Sequence, residues 1–273
     1  MPLVLVPRSH PGAPLTIELD AIVPDRVVGL SAAEVARLPI RADCRARPLG
    51  DVFDVSGSAG DGTIECRGDF SRIHRVGAGM ARGRILVTGS VGRHAGERMT
   101  GGVLEVAGDA GDWLAAEMSG GLVRVGGSAG DNVAGGLPGS NVGLQGGVVL
   151  VNESVGDLAA ARMRRGLVAI GGSCGMALGF EMRAGTVVVA GTVGPQPGLG
   201  MRRGTIVALA AGPTPPVTFV RGSSWEPPLV PLLLQRLGHA GFVPRPGAPA
   251  GPWRQWHGDL LAGGRGELFH PDR

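Results

Sequence analysis

Met118-Ser-Gly-Gly-Leu-Val-Arg-Val-Gly-Gly-Ser-Ala-Gly130 and Met163-Arg-Arg-Gly-Leu-Val-Ala-Ile-Gly-Gly-Ser-Cys-Gly175 are two copies of one unit. Moving outward from them, the same lead recurs until Gly83, Gly102, Gly121, Gly147, Gly166, Gly185 and Gly204 all occupy the third place after Met or Leu. Six leads are Met80, Met99, Met118, Met163, Met182 and Met201, and Leu144 is the seventh. The intervals between these glycines are 19, 19, 26, 19, 19 and 19 residues. A fixed period in this range marks a solenoid, in which each unit buries its apolar face against its neighbours.

Two and four residues after each of these glycines the chain is apolar, as in Ile85/Val87, Leu104/Val106, Val123/Val125 and Val187/Val189. Period-two alternation of β-branched residues is a strand signal. Nine residues after the lead glycine stand Gly92, Gly111, Gly130, Gly156, Gly175 and Gly194. Glycine adopts φ > 0 without a Cβ penalty, so these positions read as corners. A strand, a corner, a shorter strand and a return within 19 residues describe one coil. The expected fold class is all-β: a single-stranded parallel β-helix with short helical and irregular terminal segments. The methionines are expected to form an inward column, where a flexible thioether fills gaps.

The longer interval carries seven extra residues within Asp131–Gly143, rich in Gly, Pro, Ser and Asn, which reads as a loop pushed out of one corner. Upstream, Val52–Gly60 and Gly62–Phe70 read as degenerate capping coils. Thr16–Leu30 is expected to form strands, and Ser31–Leu38 a short helix with Ser31 as N-cap and Glu34 three residues on. A further helix is expected at about Leu229–Ala240, with an irregular tail to Arg273 that covers the far end or reaches a partner. The expected division is 1–50 as an N-terminal segment with a short helix, 51–210 as the solenoid, and 211–273 as a Pro-rich tail.

The 273 residues include 50 glycines and no tyrosine, and all 26 basic residues are arginine. In-register glycines interleaved with Val, Ile and Leu argue for a regular backbone rather than disorder. A net charge of +3 is no argument for nucleic acid. Cys44, Cys66 and Cys174 form no CxxC pair and no zinc pattern, which fits a reduced, cytosolic protein. Met1–Pro14 lacks the basic-then-apolar pattern of a secretory signal, and no run of about 18 apolar residues appears. His10, His74, His94, His239, His257 and His270 are scattered, with no metal-ligand spacing. No phosphate loop is present, and Glu97, Glu105, Glu117 and Glu181 fall in different units. No catalytic residue and no metal site is expected.

Charge is unevenly spread. Residues 80–161 hold five arginines against eight acids, whereas residues 162–206 hold six arginines against Glu181. Arg164, Arg165, Arg183, Arg202 and Arg203 directly follow column methionines, so stacking makes them neighbours. Such a column calls for an acidic ligand or partner, or else stands as a solvated basic face or pairs with acids of the tail. Val103, Leu122, Val148 and Leu167, each one residue after the lead glycine, make an outward apolar stripe that needs a cover.

The Met-x-x-Gly-x-Val-x-Val-x-Gly-x-x-Gly array resembles the GXGXG solenoid found in the C-terminal domain of the glutamate synthase large subunit. It resembles more closely the C-subunit family of formylmethanofuran dehydrogenases, over about Val52–Ala208 and again in the tail Gly258-Asp259-…-Gly263-Gly264-Arg265-Gly266-Glu267. The resemblance implies a non-catalytic structural subunit of a cytoplasmic hetero-oligomer, with no nucleic acid or membrane partner. In one branch of that family the complex moves a formyl group from tetrahydromethanopterin to a methanofuran analogue and releases formate. In the other, a tungsten or molybdenum enzyme reduces CO2 onto methanofuran. The Arg-only, Ala- and Gly-rich composition is more similar to the bacterial, formate-releasing branch. The partners implied are amidohydrolase-like and formyltransferase-like subunits. A polyglutamylated methanofuran analogue is the acidic ligand implied for Arg164, Arg165, Arg183, Arg202 and Arg203. Two other readings remain: a stand-alone glutamate-synthase-like assembly protein, and an enzyme such as a hexapeptide acyltransferase or a sugar-acting β-helix. A period of 19 does not divide into hexapeptides, which weakens the last.

Overall fold

The computed structural model describes residues 2–8, 15–210, 212–242, 244 and 249–272. His10 lies outside them. The chain is mostly β with few helices. In order it forms β1 (Leu3–Pro7), β2 (Ile17–Glu18), α1 (Pro24–Val27), α2 (Ala32–Ala36), β3 (Pro39–Ala42), β4 (Arg45–Pro48), β5 (Phe53–Ser56), β6 (Thr63–Cys66) and β7 (Ile73–His74). There follow β8 (Arg84–Val87), β9 (Val103–Val106), β10 (Leu122–Val125), β11 (Val148–Val151), β12 (Leu167–Ile170), β13 (Thr186–Val189) and β14 (Arg203–Ala208). The tail adds β15 (Val220–Trp225), α3 (Leu229–His239), β16 (Trp253–Gly258) and β17 (Arg265–Pro271).

Thirteen strands make one mixed sheet, ordered β15-β16-β17-β14-β13-β12-β11-β10-β9-β8-β6-β1-β5. From β6 to β14 every neighbouring pair is parallel, and Ile64, Ile85, Leu104, Val123, Val149, Val168, Val187 and Ile206 stand in one register row. This row is buried to 1% exposure or less, so the apolar alternation is an interior ladder. Burying each Val or Ile side chain stabilises by about 1.5–3 kcal/mol. A second row of single parallel bridges joins Phe70, Val91, Ala110, Ala129, Val155, Cys174 and Val193.

The third stretch of each unit is not a strand. In Trp113–Met118 every second residue has a left-handed backbone: Trp113 (φ 57°), Ala115 (φ 53°) and Glu117 (φ 55°). Such φ costs a non-glycine residue roughly 1–2 kcal/mol. Hydrogen bonds to both neighbouring units offset it. The Trp113 N–H donates to Asp131 O (2.8 Å) in the unit after, and the Ala115 N–H to Ala95 O (2.8 Å) in the unit before. The Glu117 N–H again points forward, to Gly135 O (3.1 Å).

The lead glycines are true left-handed corners, and Gly147 (φ +87°) illustrates why no side chain fits: its Cβ would lie 2.7 Å from Met118 Cε of the unit before. Met80, Met99, Met118, Met163, Met182 and Met201 are completely buried, and Met80, Met118, Met163 and Met182 fill the space that Gly102, Gly147, Gly185 and Gly204 leave open. The second glycine column corrects the corner reading. Gly130, Gly156 and Gly175 do not have positive φ. A Cβ on them would overlap the carboxylates of Asp112, Asp131 and Asp157. Those carboxylates accept from the backbone N–H groups of Asp131 (3.1 Å), Asp157 (2.8 Å) and Met176 (2.8 Å) one unit on. The ladder ends at Met176, which carries no carboxylate to pass on, and the position one unit further is Pro195, which has no N–H to satisfy.

The ends differ from expectation in four ways. Val52–Gly60 is not a coil of the parallel row: β5 runs antiparallel to β1, and β1 itself takes the rung before β6. Thr16–Leu30 holds only the two-residue β2 and the one-turn α1, although Ser31 does cap α2, in a reciprocal box with Glu34. The tail is regular: β17 pairs in parallel with β14, and β16 and β15 extend the sheet antiparallel. The apolar cover comes from this chain, but it lies on a column beside the expected stripe. Val230, Leu233 and Leu237 of α3, with Phe242, Trp253 and Phe269, pack on Leu150, Ala169, Val188 and Val207. Leu167 is buried with them and Leu122 and Val148 pack at the margin, while Val103 lies beyond the cover. Arg124 donates to Ala240 O at the C-terminal end of α3, where a cation suits the exposed carbonyls.

Candidate functional site

The five arginines singled out by the repeat lie on one corner of the molecule. Backbone bonds fix them one above another. The Arg164 and Arg165 N–H groups donate to Leu144 O (2.7 and 3.2 Å), the Arg183 N–H to Met163 O (2.8 Å), and the Arg202 N–H to Met182 O (2.7 Å). Each thus hangs from the column residue of the unit before. The vertical spacing is that of neighbouring strands, about 4.8 Å. Arg203 opens β14 and faces Arg265 of β17 in register, with Gly204 opposite Gly266. Arg265 therefore extends the column by one rung. Its signal was present in the sequence, because Arg265-Gly266-Glu267-Leu268 copies Arg203-Gly204-Thr205-Ile206.

All six side chains are exposed, and among the described residues none of them makes an ion pair. That contrasts with the arginines on the column just before the methionines. There Arg98 pairs with Glu117 (2.9 Å) and Arg162 with Glu181 (2.9 Å). Among the described residues the tail acids do not pair with the column. Glu267 is engaged by Gln255 (3.0 Å) and Thr205 (3.3 Å), and Asp272 by Arg254 (2.5 Å). Unpaired guanidinium groups held about one rung apart repel one another, and a bound polyanion would relieve that repulsion.

The paired column organises the inserted loop. Glu117 accepts from Arg98 Nε (2.9 Å) and from the Leu137 N–H (3.3 Å), and Arg162 Nη1 donates to Ser140 O (2.6 Å). Burial pushes the Glu117 carboxyl up, but its bonds to Ser140, Arg98 and Leu137 outweigh this and hold it below the ordinary value. Glu97 is 3% exposed and touches His94 Nδ1 (2.8 Å), Arg75 (3.3 Å) and Arg98 (3.9 Å). Burial again raises its carboxyl, and His94, Arg75 and Arg98 together bring it below the ordinary range.

Of the other candidate side chains, Cys44 and His239 are exposed, while the following are engaged in packing or hydrogen bonds. The His94 ring stacks on Trp113 at 5.1 Å and 6°. His74 Nδ1 accepts from the Arg93 N–H (2.9 Å), and His270 Nε2 from Trp256 Nε1 (3.0 Å). Cys66 and Cys174 are buried in the two ladders, and burial pushes their thiols up to about 12 and about 11. A thiol so far from ionising is a poor nucleophile. Among the described residues no three His, Cys, Asp or Glu side chains are grouped to hold a metal ion, and no helix is long and apolar enough to cross a membrane.

No protein-family profile matches the chain. A segment of 96 residues is 34% identical to the C subunit of molybdenum-containing formylmethanofuran dehydrogenase 1 of Methanosarcina barkeri, covering 34% of this chain and 31% of that relative. Another of 86 residues is 39% identical to the C subunit of the formyltransferase/hydrolase complex of Methylorubrum extorquens, covering 32% of each. The matched segments thus span about a third of these curated relatives. The structural likeness extends further. A chain in the crystal structure of the formyltransferase/hydrolase complex from Methylorubrum extorquens, in complex with methylofuran, superposes with a TM-score of 0.89 at 36% identity, covering 99% of this chain and 100% of that one. The repeat, the tail that returns as a last rung, and the end-to-end likeness agree: the chain belongs to the C-subunit family of formylmethanofuran dehydrogenases and formyltransferase/hydrolase complexes.

Proposed function

We propose that this chain is the non-catalytic structural subunit of a cytoplasmic formyltransferase/hydrolase complex in tetrahydromethanopterin- and methanofuran-linked one-carbon metabolism. Its partners are the amidohydrolase-like and formyltransferase-like subunits that carry the chemistry. The end-to-end likeness to a chain of the Methylorubrum extorquens complex carries this reading. The dehydrogenase relatives favour a second context, the C subunit of a tungsten or molybdenum enzyme, but they align over only about a third of the chain. In either context the stacked units are read as a parallel β-helix of about 19-residue coils, spanning 51–210 between the 1–50 and 211–273 segments. Its two strand rows and one left-handed side form a stiff three-sided body.

The column Arg164, Arg165, Arg183, Arg202, Arg203 and Arg265 is read as the place where the acidic tail of a methanofuran-type cofactor rests. Support comes from its exposure, its lack of ion pairs among the described residues and the methylofuran in the related crystal structure. A flexible polyglutamate held by successive guanidinium groups is tethered without being immobilised, because exposed contacts of this kind are individually weak and screened by salt. Changing Arg164, Arg183 and Arg202 together to Ser should weaken binding of a polyglutamyl ligand at least tenfold and flatten its salt dependence. The melting temperature of the chain should stay the same. Unchanged binding by the triple variant would retire the role of the column, while native mass spectrometry of the co-expressed subunits tests the scaffold role separately.

A further inference from the structure

The second ladder runs from Phe70 to Val193 and then stops. At every earlier rung the bridging residue sends its N–H forward. Ala129 donates to Ser154 O (2.9 Å), Val155 to Ser173 O (2.9 Å) and Cys174 to Thr192 O (3.0 Å). The left-handed side repeats the device, with the N–H of Asn132, Leu158 and Ala177 donating to Asp157 O, Met176 O and Pro195 O (2.8, 2.9 and 2.8 Å). The equivalent last donors are Val193 and Gln196, and neither N–H meets an acceptor among the described residues.

The tail caps only part of this end. The Gly200 N–H, next in the forward series, donates to Asp259 Oδ2 (3.0 Å), so a buried carboxylate stands where a following unit would put a carbonyl. β17 closes the main sheet. Over Val193 and Gln196 there is instead a groove of about 540 Å3, walled by Val193–Gln196 and Leu199 on one side and Thr214–Thr218 on the other. Inside this wall Thr218 Oγ1 is buried without a hydrogen-bond partner. Beside it Val217 is fully exposed, and Leu260 (55%) and Leu261 (87%) are exposed on the turn whose Leu260 N–H binds Thr218 O (3.1 Å).

We propose that this groove receives an extended, apolar peptide segment from another protein of the assembly, which continues the second ladder by one rung. Its carbonyls would accept from the Val193 and Gln196 N–H groups, and an aliphatic side chain would lie over Val193 as each bridging residue lies over the one before. Backbone donors left unmet at a ladder end are templates for strand addition. The exposed Val217, Leu260 and Leu261 supply apolar area for the flanks of such a segment. The ladder register fixes the occupant as a single strand rather than a helix, which has no free acceptors along its side.

The inference rests on the chain being a subunit of a larger assembly. Hydrogen–deuterium exchange of the isolated chain and of the purified complex tests it. The Val193 and Gln196 amides should exchange freely in the isolated chain and at least a hundredfold more slowly in the complex. Those of Cys174 and Ala177 should be protected in both. Equal exchange of Val193 and Gln196 in the two samples would overturn the inference while leaving the assembly intact, and failure to form any complex would overturn both. As an independent arm, Val193→Pro removes the forward donor, whereas the internal bonds of that rung use Thr192 O and the Gly194 N–H. It should reduce incorporation into the complex at least tenfold, and undiminished incorporation would count against the groove.

Discussion

Residue by residue, the repeat is set by pairs that exclude one another. A carboxylate such as Asp131 caps the next unit only because residue 156 is Gly. Gly156→Ala should therefore cost about 1–3 kcal/mol in urea unfolding, through overpacking against the cap. Asp131→Ala should cost about 1 kcal/mol, the worth of one charge-assisted bond at an exposed site. The two together should cost less than the sum, since removing the carboxylate makes room for the methyl group. Additive losses would show that the glycine serves some other purpose. Glu97 provides a pH marker. Its carboxyl is held below the ordinary 4.5, so its stabilising contribution is complete above that value and is lost as the pH falls through the lower, folded one. Thermal melts between pH 6 and 3 should show this loss only in the acid range, and Glu97→Gln should flatten the profile. An unaltered profile in that variant would remove Glu97 from the acid response. Glycine was legible at these positions, but its reason was not, because a forward-reaching aspartate and a left-handed corner leave the same letter in the sequence.

Among elements, the strands were the easy part. Period-two alternation with β-branched residues specifies β8 to β14 directly, and their register follows from the fixed interval. The left-handed side was hidden: alternating φ sign leaves neither a two- nor a 3.6-residue apolar period, so Trp113–Met118 reads as a plain turn. Val52–Gly60 misled by composition, since its Gly57-Ser58-Ala59-Gly60 copies the unit but no lead glycine precedes it. Helix α3 was legible as a helix, though its target was not, because the column it covers lies two residues past the apolar stripe. Leu233 is 8% exposed against that column. Leu233→Asp should release α3, expose Leu150, Val188 and Val207, and raise binding of an apolar dye while the main sheet stays folded. An unchanged dye signal would mean that α3 is not the cover on which that column depends.

For the whole molecule, interior and surface differ in kind. The interior is filled by aliphatic rows, Cys66 and Cys174 are buried, and His94, His74 and His270 are occupied by stacking or hydrogen bonds. What the surface offers is a basic corner, an inserted loop clamped by Glu117 and Arg162, and an unfinished ladder end. The basic corner could be read from the sequence since arginine follows methionine at a fixed period; Arg265 joins it from the tail, some 60 residues downstream of Arg203, and without a lead methionine its only signal is the copied Arg-Gly pair. The most direct test of the scaffold role is to measure formyl transfer and formate release by the purified chain, by the catalytic subunits without it, and by the reassembled complex. The account predicts no turnover by the chain alone and full coupled activity only when it is restored to its partners. Turnover by the isolated chain, or full coupled activity of the partners in its absence, would contradict it.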